Sequence, residues 1–351
     1  MKQTSVLLMI LLLAGCQGLT KKISVNSIEL QRQSSDLQTS MRGVCAVNSQ
    51  VAWAGGALGT FQRTVDGGKT WRGGQVPGAD ELDFRDIEAF DAETALVISA
   101  GLPAKIYKTT DGGQTWTQTY NNDTPGVFFD AMAFWDDQHG IAMSDPQEGK
   151  IFFIITDDGG ESWRPVPPEN LPPVLEGEAG FAGSGTCLAV AGEKCAYLGT
   201  GGGARARVFY TTDRGRIWSV SPTPIIAGGS SKGIFSLAFW DESNGIAVGG
   251  DYQDDQNRQN NAALTTDGGK TWTLVQPNQP TGFKSCVAYI PNTKGPALVA
   301  VGTSGSDYSL DGGKTWTTIE TEGYHSISFA PDGAGWAVGA DGRLAKCVIK
   351  Q

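Results

Sequence analysis

Polar side chains that could perform chemistry occur at the ends of short apolar segments along the chain. The candidates for acid–base or nucleophilic catalysis are Asp130, Asp145, Glu178, Asp251 and Tyr252, and the candidates for ligand binding are Arg85, Asp86, Arg205, Arg207 and His325. Two carboxyl groups can divide the roles of acid and base, and arginines can hold an anionic group. Each residue alone can also simply tie down a strand end, as short polar side chains often do.

Other common catalytic centres have little support in this sequence. His139 and His325 are the only histidines, and no CxxC pair or His/Cys cluster with zinc spacing is present. The glycine-rich stretch 199–203 lacks the Lys-Ser/Thr ending of a phosphate-binding loop. The sequence therefore predicts neither a cofactor nor a metal site.

The elements that position these side chains are predicted by a repeated segment, Thr64-Val65-Asp66-Gly67-Gly68-Lys69-Thr70-Trp71. Five further copies place aspartates 44 to 55 residues apart, and the six are Asp66, Asp111, Asp158, Asp213, Asp267 and Asp311. A short carboxylate followed by glycines is typical of a tight turn, and the tryptophan anchors the strand that follows. We expect these six aspartates to be structural, because every copy has the chemistry of a turn.

A period of this length predicts a β-propeller, an all-β ring of four-stranded blades. Inner strands are expected at 43–47, 84–90, 129–135, 185–190, 234–240 and 285–290, and a seventh repeat begins at Tyr324. This last repeat has neither a copy of the repeated turn segment nor a fourth strand, and the segment 25–30 could supply that strand from the N-terminus. The prediction is seven blades closed by an N-terminal strand, with six blades as the alternative.

Propeller geometry explains why the polar candidates could converge. The loops from the fourth strand to the next blade and those from the second to the third strand share one face, around the central channel. Most of the candidates lie just before a first strand or just after a second strand. Gathered there, acids and bases can bind a polar ligand or shift one another's pKa.

The first residues carry an export signal. An apolar run from Val6 to Leu13 ends in Leu13-Ala14-Gly15-Cys16, which resembles a bacterial lipobox. The predicted organisation is a signal peptide at 1–15, a lipidated tether at 16–23 and one propeller domain at 24–351. Lipid on Cys16 would hold the protein on a membrane in the bacterial cell envelope, and Gln17 after the cysteine favours the outer membrane or cell surface.

The net charge limits the kinds of partner, and the number of cysteines limits the disulfides that the protein can form. The net charge of −10 becomes −11 after removal of the signal, which argues against nucleic acid as a partner. Five cysteines remain besides Cys16, so at least one is free or pairs between chains. A disulfide between Cys187 and Cys195 is possible and stays open.

The repeated turn resembles the Asp box, or bacterial neuraminidase repeat. Across residues 24–350 the repeat phrases, such as Ala238-Phe239-Trp240-Asp241 and Gly335-Trp336-Ala337-Val338-Gly339, resemble the photosystem II stability and assembly factor family of exported propellers. That resemblance implies a scaffold that binds membrane-protein partners through one face. The leading hypothesis is a lipid-anchored propeller that binds a protein or a glycan.

Sialidases and related glycoside hydrolases share the Asp box, which keeps an enzymatic alternative open. Their resemblance implies a tyrosine nucleophile and an arginine triad, but the Arg-Ile-Pro phrase that precedes the first box in sialidases is absent here. A different glycosidase would use Asp130 or Asp145 with Asp251 or Glu178. Whether the protein is an enzyme is uncertain at this point, and a binding role is favoured.

Overall fold

The computed structural model describes residues 22–351, which form an all-β ring of seven four-stranded antiparallel sheets. The predicted signal peptide, the predicted lipidation site Cys16 and most of the predicted tether lie outside the described residues. Among the residues described, no helix has the length and apolar character needed to cross a membrane.

The blades follow one another along the chain, and each runs from an inner strand A to an outer strand D. Blades 1 to 3 contain β2–β5 (Met41–Ala46, Ala52–Gly56, Thr60–Thr64, Arg72–Gln75), β6–β9 (Asp83–Ala89, Ala95–Ala100, Ala104–Thr109, Thr117–Asn122) and β10–β13 (Phe129–Phe134, Gly140–Gln147, Lys150–Thr156, Arg164–Pro165). Blades 4 to 6 contain β14–β17 (Leu188–Ala191, Cys195–Gly199, Arg207–Thr211, Ser219–Pro222), β18–β21 (Lys232–Phe239, Gly245–Asp251, Ala262–Thr265, Thr273–Leu274) and β22–β25 (Cys286–Tyr289, Leu298–Gly302, Gly305–Ser309, Thr317–Glu320). A short 3₁₀ helix, Pro168–Asn170, follows β13.

The seventh blade closes the ring with strands from both ends of the chain. It contains β26–β28 (Ser326–Phe329, Gly335–Val338, Leu344–Lys350), and its outer strand is β1 (Ser27–Gln33). The two terminal strands pair antiparallel over seven residues, from Ser27 opposite Lys350 to Gln33 opposite Leu344. The predicted seven-bladed propeller with N-terminal closure is confirmed, and no open strand edge is left at the junction between the first and last blades.

The six repeated aspartates lie in the turns between strands C and D. In the first turn the Thr70 amide and hydroxyl donate to Asp66 at 2.9 and 2.7 Å, and the Gly68 amide donates to the Thr64 hydroxyl at 2.8 Å. Gly67 and Gly68 have φ values of 74° and 84°, a backbone region that glycine enters without strain. Each turn is also bonded to the A-to-B turn of its own blade, as in the 2.9 Å bond from the Gly67 amide to the Gln50 carbonyl. These two sets of turns form one side of the ring, which we call the box face.

Apolar side chains fill the spaces between neighbouring sheets. Seven clusters of buried residues occupy these spaces, with Trp53, Phe153 and Trp336 among the largest fully buried side chains. Polar side chains of the inner strands also join neighbouring blades. Asp86 accepts from the Met132 amide at 2.7 Å, and Ser236 accepts from the Val287 amide at 2.9 Å. Both residues therefore tie strand ends together at a β-bulge, the structural role that the sequence allowed.

The inner strand of blade 4 begins later than predicted. It was expected at 185–190 and is found at Leu188–Ala191, because the residues before it cross the channel instead of lining it. We call this crossing segment, Phe181–Thr186, the plug. The Ser184 hydroxyl donates to the Ser285 carbonyl of blade 6 at 2.7 Å, and the Leu237 amide of blade 5 donates to the Thr186 carbonyl at 2.9 Å. The plug divides the channel into two separate cavities.

Candidate functional site

The cavity above the plug combines aromatic and basic side chains on the side opposite the box face. Its volume is about 440 Å³, and we call it the cleft; its side chains come from Arg42, Arg85, Phe181, Phe235, Tyr252, Phe283 and His325. These residues lie in the plug, at the starts of inner strands and in B-to-C turns, and therefore come from loops far apart in sequence. The side of the ring on which they meet is called the cleft face below.

One wall of the cleft is aromatic and is organised around Phe235. The rings of Phe181 and Phe235 stack with centroids 3.9 Å apart, and Phe283 meets Phe235 edge-on at 4.7 Å. Tyr252 approaches the same ring edge-on at 6.0 Å and is 49% exposed. An apolar or aromatic side chain of a ligand can pack on this wall, with the Tyr252 hydroxyl available at its rim.

The opposite wall carries two arginines that differ in their partners. Arg85 pairs with Asp83 at 2.8 Å and donates to the Ala182 carbonyl of the plug at 3.0 Å. Arg42 is half-buried and makes no ion pair with any residue in the range 22–351. Burial, followed by repulsion from Arg85, lowers the pKa of Arg42 from its ordinary value. The nearby Asp83 offsets this only in part. A carboxylate placed in the cleft would relieve the remaining cost, because it would supply a direct ion-pair partner.

His325 completes the basic wall as a neutral side chain. Its Nδ1 lies 2.9 Å from the Met41 carbonyl, and since a carbonyl only accepts, Nδ1 carries the proton. Burial and the nearby Arg42 lower the pKa of His325 to about 4. At neutral pH its Nε2 is an acceptor, so the cleft can recognise a hydrogen-bond donor beside an anionic group.

Two carboxyl groups, those of the buried Asp130 and the half-buried Asp145, lie behind the plug. Burial and the neighbouring Asp145 raise the pKa of Asp130 well above its ordinary value, and burial raises that of Asp145 to about 6. One oxygen of each group has no hydrogen-bond partner among the described residues. The Asp130 carboxyl lies against Gly180, where a Cβ atom would be 3.0 Å from its Oδ2. Neither residue lines the cleft, so the structure gives this pair a place supporting the plug.

The remaining sequence candidates are divided among other sites. Glu178 and Arg207 form a buried ion pair, and Glu178 also accepts from the Thr200 hydroxyl at 2.6 Å. Asp251 accepts from the Gln253 amide at 3.0 Å in its own turn, and Arg205 is exposed away from the cleft. The acids and bases expected to gather over the channel therefore do not form one cluster. Only Arg85, Tyr252 and His325 line the cleft.

Sequence reasoning missed Arg42, Phe181 and Phe283. Arg42 stands immediately before the expected inner strand of blade 1, so the same positional rule that selected Arg85 would have found it. Phe181 lies in the long insertion between blades 3 and 4, where no repeat pattern indicates its direction. Its contact with Phe235 depends on the path of the plug, which is a long-range property.

The second cavity lies below the plug and opens on the box face. This lower chamber has a volume of about 580 Å³ and is lined by residues of the inner strands, including Asp86, Glu88, Trp240 and Tyr289. Burial raises the pKa of Asp86 to about 7. Gly185 of the plug faces Asp86 so closely that a Cβ atom there would lie 2.1 Å from the carboxyl carbon. Asp86 is therefore separated from the cleft by the plug.

Cysteine and metal chemistry add no further site. All five cysteines of the described chain are free, so Cys187 and Cys195 do not form a disulfide. Within residues 22–351 no group of three potential ligand side chains is arranged to hold a metal ion.

Comparison with known proteins identifies the family. The model of the family described as photosynthesis system II assembly factor YCF48 matches residues 23–348. The chain belongs to the Ycf48 family. The description of this family names an assembly factor.

Curated Ycf48 relatives align with part of the chain. The photosystem II assembly lipoprotein Ycf48 of Synechococcus sp. (strain CC9902) is 27% identical over 158 residues, which cover 43% of this chain and 44% of the relative. The chloroplastic photosystem II stability/assembly factor HCF136 of Arabidopsis thaliana is 29% identical over 126 residues, covering 34% of this chain and 29% of the relative. Each alignment spans less than half the length of the relative it matches.

A solved Ycf48 structure shares the complete fold. The structure described as YCF48 bound to D1 peptide superposes with a TM-score of 0.63 at 18% identity, and the match covers 94% of this chain and 99% of that one. At this identity the similarity shows the seven-bladed architecture alone.

Proposed function

We propose that this protein is an exported, lipid-anchored assembly factor that binds a segment of a protein partner in the cleft. The observation that carries the proposal is the pairing of a stacked aromatic wall with Arg42, a half-buried arginine that forms no direct ion pair within the described chain. A peptide with an apolar side chain next to a carboxylate would satisfy both walls. The D1 peptide bound in the solved Ycf48 relative supports a peptide as the ligand class.

Support for an anchored location comes from two sources. The lipobox ends at Cys16, and the relative from Synechococcus is a lipoprotein. Both support the proposal that the protein is attached to a membrane in the bacterial cell envelope. The outer membrane is favoured by Gln17 alone.

A binding experiment tests the role of the cleft. Fluorescent peptides would be titrated with the propeller domain, using the D1 peptide and the C-terminal tails of envelope proteins from the host. Replacing Arg42 by alanine should weaken binding tenfold or more, since a hydrogen bond to a charged group contributes about 1.5–3 kcal/mol. Phe235→Ala should weaken it through loss of the aromatic wall.

Arg205→Ala is the matched control, because Arg205 is an exposed arginine outside the cleft. It should bind like the unaltered protein, and thermal unfolding should be unchanged in both arginine variants. Equal weakening by Arg42→Ala and Arg205→Ala would indicate attraction by overall charge. No binding of any peptide would contradict the proposed function.

A further inference from the structure

The N-terminal segment enters the ring on the box face. Ile23 forms a parallel bridge with Thr293, in which the Ile23 amide donates to the Asn292 carbonyl at 2.7 Å and the Lys294 amide donates to the Ile23 carbonyl at 2.9 Å. Residues 291–294 form the A-to-B turn of blade 6, so the contact lies on the inner part of that blade. Lys22 lines the mouth of the lower chamber.

Two neighbouring contacts fix the segment in this place. The side chain of Ile23 packs next to Gly333 in the A-to-B turn of blade 7, where a Cβ atom would be 3.6 Å from its Cδ1. Ser24 and Val25 then line a small cavity of about 240 Å³ together with Leu310, which lies in the box turn of blade 6. The path from Ile23 into β1 is therefore bound to the box face along its length.

The reach of the preceding residues is short compared with the ring. Seven residue steps separate Cys16 from Ile23, and a fully extended chain covers at most about 25 Å in that length. To reach the cleft face from Ile23, the tether would first have to cross the width of a four-stranded blade, about 14 Å. It would then have to run the length of a seven-residue strand, about 23 Å. The required path of about 37 Å exceeds the reach of the tether even before the turns are added.

We infer that the box face rests against the membrane and that the cleft opens away from it. The occupant of the box face is a lipid bilayer surface, held there by acylated Cys16. This inference rests on the lipid anchor of the proposed function and adds an orientation to it. The cleft then stands about 23 Å above the lipid surface, the length of a seven-residue strand, so its ligand must be a tail or loop that extends into the aqueous compartment.

Fluorescence energy transfer from the protein to the membrane measures this orientation. The full chain, acylated at Cys16, would be reconstituted in phosphatidylethanolamine/phosphatidylglycerol vesicles that contain an acceptor-labelled lipid headgroup. A donor would be attached at Ile217→Cys in the box turn of blade 4 or at Leu102→Cys in a B-to-C turn on the cleft face. Both residues are exposed, at 61% and 53%, and neither lines the cleft or the small cavity that holds Ser24 and Val25.

The native thiols should interfere little with labelling. Burial raises the pKa of all five described cysteines, so they react slowly with a maleimide. A protein without either added cysteine supplies the background signal.

We expect at least twofold higher transfer from position 217 than from position 102. Inserting 20 Gly/Ser residues between Thr20 and Lys21 should remove most of the difference, because the ring can then turn over. Equal transfer from the two positions with the native tether, or higher transfer from position 102, would overturn the orientation. Failure of the protein to float with vesicles would also overturn it.

A separate control distinguishes a failure of the inferred orientation from a failure of the proposed peptide binding. Cys16→Ser protein has no acylation site, and its cleft should still bind peptide in solution. Loss of peptide binding with normal vesicle orientation would therefore contradict the cleft and leave the orientation intact.

Discussion

The two faces of the ring are built in different ways from the same kinds of residues. On the box face, aspartates accept bonds from residues two to four positions away, and the arrangement recurs in six blades. On the cleft face, the side chains come from distant loops and meet only once. Repetition gives the box face its stability, whereas the cleft depends on one irregular segment, the plug.

The pKa values of the aspartates also differ between the box turns and the region around the plug. The Thr70 amide and hydroxyl lower the pKa of Asp66 to about 2, and the Thr115 hydroxyl and amide do the same for Asp111. Burial instead raises the pKa of Asp145 to about 6 and that of Asp86 to about 7. Aspartates of the box turns favour the folded state when ionised, and those around the plug favour it when protonated.

The largest effect on stability is expected from a substitution in the plug at a position with no room for an added side-chain atom. Gly185 has a φ of 75° and faces the Asp86 carboxyl, so Gly185→Ala combines backbone strain with overpacking and should cost about 3 kcal/mol in the free energy of unfolding. Gly228 has a φ of 83° but nothing within 4 Å of the added carbon, so Gly228→Ala should cost only about 1 kcal/mol. Urea unfolding measures both variants, and equal costs would show that the plug yields easily.

Peptide binding by the same two glycine variants tests whether the cleft depends on the position of the plug. In buffer without urea, where both variants are folded, Gly185→Ala should weaken peptide binding because the added methyl group displaces the plug, which forms part of the cleft. Gly228→Ala should leave binding unchanged. Normal binding by a destabilised Gly185→Ala protein would show that the cleft does not depend on the plug.

A pH series separates the buried acids from the box acids. The folded-state pKa of Asp145 lies above the ordinary value of about 4, so its contribution to stability is present below pH 4 and is lost as the pH rises to about 6. Asp86 extends this decline to about pH 7. Asp145→Asn should therefore reduce the fall in the free energy of unfolding between pH 4 and 7 by about 2 kcal/mol. An unchanged slope would remove Asp145 as a source of pH dependence.

The box aspartates should contribute to stability at more acidic pH. Their lowered pKa values mean that their stabilisation is complete above about pH 5 and is lost as the pH falls towards 2. They add little slope above pH 5, where the Asp145 and Asp86 carboxyls still titrate.

The smallest effect is expected from one box turn. Thr64 is buried, and its hydroxyl bonds both the Gly68 amide and Asp66. Thr64→Val keeps the shape and removes these bonds, which should cost about 1 kcal/mol of stability. Peptide affinity should not change, because the turn lies on the opposite face from the cleft. Altered affinity would show that the two faces are coupled.

Sequence alone predicts the box face far better than the cleft. The turns depend on bonds within five residues, so their chemistry is visible in each copy, and the missing seventh box correctly indicates where β1 meets β28. The repeat frame predicts an inner strand from residue 185, so it assigns only the last two residues of the plug to a strand, and it gives no direction for the insertion before them. The crossing of the plug depends on bonds to blades 2, 5 and 6, which local pattern does not encode. Arg85 and Tyr252 can be predicted because they lie at strand ends, whereas the position of Phe181 depends on the path of the plug.

Photo-crosslinking from the two faces tests the central claim most directly. A photoreactive amino acid would replace Tyr252 in the cleft or Ile217 in a box turn, both of which are exposed, at 49% and 61%. In cells that express the full-length protein, we predict a discrete adduct with an envelope protein from position 252, and loss of that adduct when Arg42→Ala is added. A protein adduct from position 217 with none from position 252 would contradict the assignment of the cleft as the partner-binding site.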